Sequence, residues 1–224
     1  MISDNLFKIK ENIEKAAISS GRKAEDITLV AVTKSVGVAE CNELLSLGHN
    51  IFGENRVQSL NEKYESLGNS ATWHLIGHLQ TNKVKYIMDK VSLIHSVDSI
   101  HLAQEINRLA EKAGITKDIL LQVNVSGEES KFGMAKEDLF PTLEAITSLT
   151  SLRVRGLMTI PPLSFSAGSN RKYFQELYNL FENLKGQTGS NISADFLSMG
   201  MSDDYEDAIL EGANIVRVGR ALYI

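Results

Sequence analysis

A lysine that closes an apolar run is the first residue in this chain whose position calls for chemistry. Leu29-Val30-Ala31-Val32-Thr33 reads as a strand buried on both faces, and Lys34 ends it. Such a lysine can lay its stem over apolar neighbours and keep its ammonium in water. It can also project into a site where burial lowers its pKa, leaving a free amine that forms a Schiff base with a carbonyl. Arg217 interrupts a second apolar run, Ile215-Val216-Arg217-Val218, in the same manner. Its plain alternative is a salt-bridged arginine with Glu211 as partner. Its chemical one is a guanidinium facing a pyridine nitrogen, which stays unprotonated beside a cation that keeps its own proton. Two glycine-containing stretches complete the set. Ser198-Met199-Gly200-Met201-Ser202 brings a glycine and two hydroxyls to the start of a helix whose first amides lack partners, and Gly219-Arg220 lets backbone come close. Either could seat a phosphate, although Gly-Met-Ser-Asp is equally an ordinary helix start.

These residues meet only if the elements carrying them bring them together. An amphipathic helix with Leu6, Ile9, Ile13, Ala16 and Ala17 on one face comes first. Strand signals then fall at Leu29–Lys34, Asn50–Gly53, Thr72–Ile76, Ser92–Val97, Asp118–Val125, Leu152–Met158, Phe196–Leu197 and Ile215–Val218. Helical spacing separates them at Val38–Leu47, Arg56–Leu67 with Asn55 as its N-cap, Lys83–Asp89, Ser99–Ala113, Lys136–Leu149, Asn170–Lys185 and Asp203–Glu211. Eight strand signals alternating with helices predict an α/β fold: a single (β/α)8 TIM barrel over residues 1–224, with one extra N-terminal helix, in preference to an open doubly wound sheet. Pro161-Pro162 through Ser169 reads as a rim loop. In such a barrel function sits at the C-terminal ends of the strands, which here deposit Lys34, Asn55, His78, His95, Asp98, Asn124, Ser198–Asp203 and Arg217–Arg220. An amine, a phosphate seat after strands seven and eight, and an arginine for a ring nitrogen together suggest pyridoxal 5'-phosphate.

Composition excludes some alternatives. The net charge of -5 carries no global basic footprint, so nucleic-acid binding is disfavoured. One cysteine, Cys41, permits no intrachain disulfide and points to a reducing compartment; it lacks a CxxC partner and reads as a buried structural thiol. No window approaches the ~20 apolar residues of a membrane span, and the N-terminus lacks a signal-peptide core. A cytoplasmic protein away from membranes is expected.

With these motifs in order, the chain resembles the pyridoxal phosphate homeostasis protein family, barrel-only relatives of the alanine racemase N-terminal domain. Ala31-Val32-Thr33-Lys34, Phe52-Gly53-Glu54-Asn55, the run from Trp73 to Lys83, Ser130-Lys131-Phe132-Gly133, Leu197 to Asp203 and Val216-Arg217-Val218-Gly219 carry the resemblance across nearly the whole chain. It implies a carrier or regulator of cofactor balance without established turnover, holding pyridoxal 5'-phosphate covalently on Lys34. Ser198, Gly200, Gly219 and Arg220 would hold the phosphate, largely through backbone amides; Arg217 would face the ring nitrogen and Asn55 would lie near the ring. Partners would be the cofactor and pyridoxal phosphate-dependent apoenzymes, with the chain a monomer or weak homodimer. The alternative is a weak amino-acid racemase. In the racemases, however, the second acid/base is a tyrosine of an additional C-terminal β-domain, and Tyr223 reads instead as packing. Trp73 and Met158 read as core, and His74 as a hydrogen-bonded strand residue.

Overall fold

The computed structural model describes residues 1–163, 168–187 and 189–224. Its elements alternate as the spacing predicts. Helix α1 (Ile2–Ser19) precedes β1 (Thr28–Val32), α2 (Val38–Ser46), β2 (Ile51–Glu54), α3 (Val57–Leu67), β3 (Thr72–Leu75), a 3-10 segment (Thr81–Tyr86) and β4 (Val91–Val97). Then follow α4 (Ile100–Ala113), β5 (Lys117–Gln122), α5 (Leu139–Ile146), β6 (Leu152–Met158), α6 (Arg171–Lys185), β7 (Ile192–Ser198), α7 (Tyr205–Leu210), β8 (Ile215–Val218) and a final turn of helix, α8 (Arg220–Tyr223). The eight strands pair in sequence order, all parallel, and β1 returns to β8, so the sheet closes into the expected barrel.

Period-two alternation divides the barrel residues between two cores. Outward-facing residues such as Ala31, Phe52, Trp73, Ile94 and Val216 pack under the helices, with Phe52 and Trp73 meeting edge to face at 5.5 Å. Inward-facing Val30, Leu93, Leu120, Met158 and Ile215 form a separate plug. Trp73, Met158 and Cys41 are buried, as read from the sequence.

Local chemistry sets several boundaries. Ser99 caps α4 by accepting from the Leu102 amide at 3.3 Å, and Gly114 ends the helix in the left-handed conformation. Glu40 reaches back to the Gly37 amide at 2.9 Å to start α2. Other expectations are corrected. Asn55 does not cap α3, whose N-cap is Arg56, because β2 runs on through Glu54 and Asn55 forms the bend behind it. The segment after β3 is a 3-10 helix rather than an α-helix. Strand β7 is far longer than Phe196–Leu197: its first half carries exposed Asp195 beside half-buried Ser193, whose polarity masks the strand signal. Of the Pro161–Ser169 loop, residues 164–167 lie outside the described ones.

Candidate functional site at the barrel mouth

On four strands an inward apolar residue is followed two positions later by a polar one: Leu93 then His95, Leu120 then Gln122, Phe196 then Ser198, Ile215 then Arg217. Alternation therefore stacks a polar layer directly above the apolar plug, on the side of the strand C-termini. His95, Ser198 and Arg217 are essentially buried, and so is His74.

The four residues form one hydrogen-bonded chain across the barrel. The Arg217 guanidinium donates to Ser198 Oγ and, through Nη2, to the Thr159 carbonyl at 2.8 Å. Ser198 Oγ lies 2.9 Å from His95 Nδ1, and His95 Nε2 lies 3.0 Å from His74 Nδ1. One proton arrangement gives each of these side-chain contacts a donor and an acceptor. Since Arg217 can only donate, the Ser198 hydroxyl sends its own hydrogen to His95 Nδ1, and the Nε2–H of neutral His95 donates to His74 Nδ1. Neutrality follows from the surroundings. Burial draws His74 down to about 4, and burial, reinforced by His74 and Arg217, holds His95 well below the ordinary imidazole range.

Arg217 is then a buried cation with neutral partners. Burial lowers its pKa to about 10, with Asp204 acting in the opposite direction, so it stays charged at neutral pH. Glu211, its sequence-level alternative partner, instead engages Arg171 at 2.7 Å. Among the described residues no carboxylate forms an ion pair with this guanidinium, whereas buried charges are ordinarily paired. An electron-rich acceptor or an anion is the ligand such a donor suits.

Around this layer the remaining predicted residues distribute themselves unevenly. Lys34 stands in the turn after β1 and is exposed to solvent, the first of its two readings rather than the desolvated one, because β1 ends at Val32 and the lysine lies in the turn beyond buried Thr33. Strands β8 and β2 flank β1, which brings Gly219 and Asn55 to the same stretch of rim; a Cβ on Gly219 would lie 3.2 Å from Val32 Cβ. Half-buried Asn55 is held by Gly77, where a Cβ would lie 2.2 Å from the Asn55 carbonyl oxygen, so only glycine fits.

At the expected phosphate seat the amides of Gly219 and Ala221 converge on one oxygen, Ser202 Oγ, at 3.2 and 3.3 Å. Ser202, one of the two hydroxyls of the candidate anion seat, is thus the hydroxyl at the amides. Ser198, the other, points its hydroxyl into the buried chain. Gly200 has φ +90 and packs against α7, where a Cβ would lie 2.5 Å from Ala208 Cβ; its freedom serves that contact. The Arg220 side chain pairs with Asp203 on the exposed rim. His95 stands among the strand-end residues without a role, whereas His74 and Thr159 are absent from them. The place of His95 at the end of the fourth strand pointed to it, and nothing in the sequence points to the Thr159 carbonyl.

A closed parallel barrel with its polar layer at the strand C-termini, a lysine after the first strand and a buried arginine on the last defines the alanine racemase N-terminal domain class, whose family model matches residues 5–224. Within that class the chain belongs to the pyridoxal phosphate homeostasis protein family. It is 44% identical to the pyridoxal phosphate homeostasis protein of Aquifex aeolicus over 98% of this chain and 96% of that protein. It is 41% identical to that of Pseudomonas aeruginosa over 99% and 94%. Among solved structures, PipY of Synechococcus elongatus with pyridoxal phosphate bound superposes with a TM-score of 0.86 at 31% identity, covering all of both chains. An alanine racemase of Clostridium difficile shares the fold at a TM-score of 0.74 and 18% identity, this chain covering 58% of it.

Proposed function

We propose that this chain binds pyridoxal 5'-phosphate at the barrel mouth and serves cofactor homeostasis, holding the cofactor through Lys34 and passing it to apoenzymes. The buried, carboxylate-free Arg217, on the strand beside the one that leads to Lys34, is the observation that carries this reading. When bound, the cofactor supplies an aldehyde that condenses with a primary amine, releasing one water without change of oxidation state. The protein's part is to hold and orient. Lys34 presents its amine at the rim; the amides of Gly219 and Ala221, with Ser202 and the backbone around Gly200 and Arg220, offer donors to phosphate oxygens; Arg217 offers N–H to the ring nitrogen. Ser198 and the neutral histidines keep that guanidinium oriented without neutralising it. Asn55, at the end of β2, borders the ring side of the mouth. We assign the protein to the cytoplasm, a compartment that suits a lone unpaired cysteine; no helix among the described residues is long and apolar enough to cross a membrane.

The test is a spectrum and a mass. Wild-type protein incubated with pyridoxal 5'-phosphate should absorb near the visible edge, lose that band on borohydride reduction, and carry the added mass on Lys34. Lys34→Ala should lose the band and the mass yet still bind pyridoxine 5'-phosphate, which has no aldehyde. Reduction that leaves the mass elsewhere, or none, refutes the assignment.

A further inference from the structure

Outside the barrel interior the structure buries a second ionic group. Glu54, at the end of β2, is fully buried, and Lys63, from α3, is 7% exposed; the two form an ion pair between sheet and helices. Desolvating two charges costs about as much as their attraction returns, so such a pair is weak evidence for stability and invites another explanation. Both ends of this one meet on the same residue. Thr33 Oγ1 donates to Glu54 Oε1 at 2.6 Å, and Lys63 Nζ donates to the Thr33 carbonyl at 2.5 Å. The Thr33 amide donates to the Gly53 carbonyl at 3.0 Å, and its carbonyl also accepts from Val36 at 3.1 Å, closing the turn that carries Lys34. Every polar group of Thr33 is thereby fixed, and Lys34 is the next residue.

We infer that Glu54 and Lys63 are positioning residues for Lys34: the buried pair clamps Thr33 at side chain and carbonyl, and so sets the turn from which the amine is presented. The geometry separates this from general support for the fold. A pair serving only to join α3 to the sheet could end on any group of either, whereas this one spends its donor and acceptor on one threonine at the root of the Lys34 turn. Lys34, exposed on a short turn, has no described partner of its own to orient it, which leaves its orientation to that root. Orientation of this sort governs reaction more than binding, since a displacement of ~1 Å can cost about 100-fold in rate. The inference rests on the cofactor reading above and deepens it.

Two probes distinguish them. Wild type, Glu54→Gln, Thr33→Val and the double variant Glu54→Gln/Lys63→Met are first compared by circular dichroism and melting. Each is then titrated with pyridoxal 5'-phosphate, read as borohydride-fixed mass on Lys34, and with pyridoxine 5'-phosphate, read by calorimetry. The variants are expected to fix the mass about 10-fold or more slowly than wild type, with pyridoxine phosphate affinity unchanged to within about twofold. Should the double variant melt early, Thr33→Val, which removes one hydroxyl and keeps the ion pair, carries the test. Wild-type trapping in Glu54→Gln and Thr33→Val overturns the inference. So does an equal loss with both probes, which marks the pair as support for the fold alone. A wild type that takes up neither probe overturns the cofactor reading itself, and the inference with it.

Discussion

Acidification from pH 7 to pH 5 should destabilise this protein by an amount set mainly by its buried histidines. His74 titrates near its ordinary 6.5 when unfolded but near 4 in the fold, because burial disfavours the charged ring. The unfolded chain therefore binds the proton first. Stability is complete above pH 6.5, declines as the pH falls, and at pH 5 the cost from His74 alone is about 2 kcal/mol, rising to about 3 kcal/mol once the folded value is passed. His95 and His49, both lowered by burial, add in the same direction. Carboxylates held low by neighbouring cations, Glu11, Glu105 and Glu182 among them, respond only below the ordinary carboxylate value of 4.5, so the interval from 7 to 5 isolates the histidines. With a urea slope of roughly 2–3 kcal/mol per molar, the midpoint should fall by about 0.7–1 M or more between pH 7 and pH 5. Urea melts followed by circular dichroism measure this directly. His74→Gln, whose side-chain oxygen can still accept from His95, should show a visibly shallower decline. A midpoint that stays constant over that interval, or a decline identical in the variant, refutes the assignment of neutral histidines to the barrel interior.

Other substitutions probe the architecture and the site separately. Gly77→Ala forces a Cβ to 2.2 Å from the Asn55 carbonyl oxygen, and should cost about 2–4 kcal/mol by thermal or urea melting. Trp73→Ala empties the largest fully buried side chain beneath the helices and should cost about 3–5 kcal/mol by the same measurement. Lys34→Ala, at an exposed turn, should leave the ligand-free melting free energy within about 0.5 kcal/mol of wild type. Arg217→Met removes a desolvated charge but also the donor to the buried Thr159 carbonyl, so the ligand-free melting free energy should stay within about 2 kcal/mol of wild type, while pyridoxine phosphate binding weakens about 10-fold or more by calorimetry.

Much of the barrel was legible because its signals are local. The continuous apolar run Leu29–Val32, and the run Ile215–Val218 broken only by Arg217, announced strands covered on both faces, and Gly114 announced the end of α4. Local signals also misled. Asp195, exposed midway along β7 and paired with Arg155 at 2.5 Å, made half a strand look like loop, since the partner lies 40 positions away. Lys34 and Arg217 looked alike, each a cation against apolar neighbours, yet one is exposed on a turn and the other buried inside the barrel.

What the amino-acid order determined by itself was the alternation: which segments become strands, which faces are apolar, and hence which residues stand at the strand ends. Chain closure decided the rest. Only when β1 met β8 did the inward positions of β3, β4, β7 and β8 face one another, joining His74 to His95 and His95 to Ser198, 103 positions apart. Likewise the packing of α3 on β2 brought Lys63 to Glu54 and both to Thr33. Burial and pairing depend on neighbours distant along the chain, so the protonation states and the clamp beneath Lys34 belong to the tertiary structure.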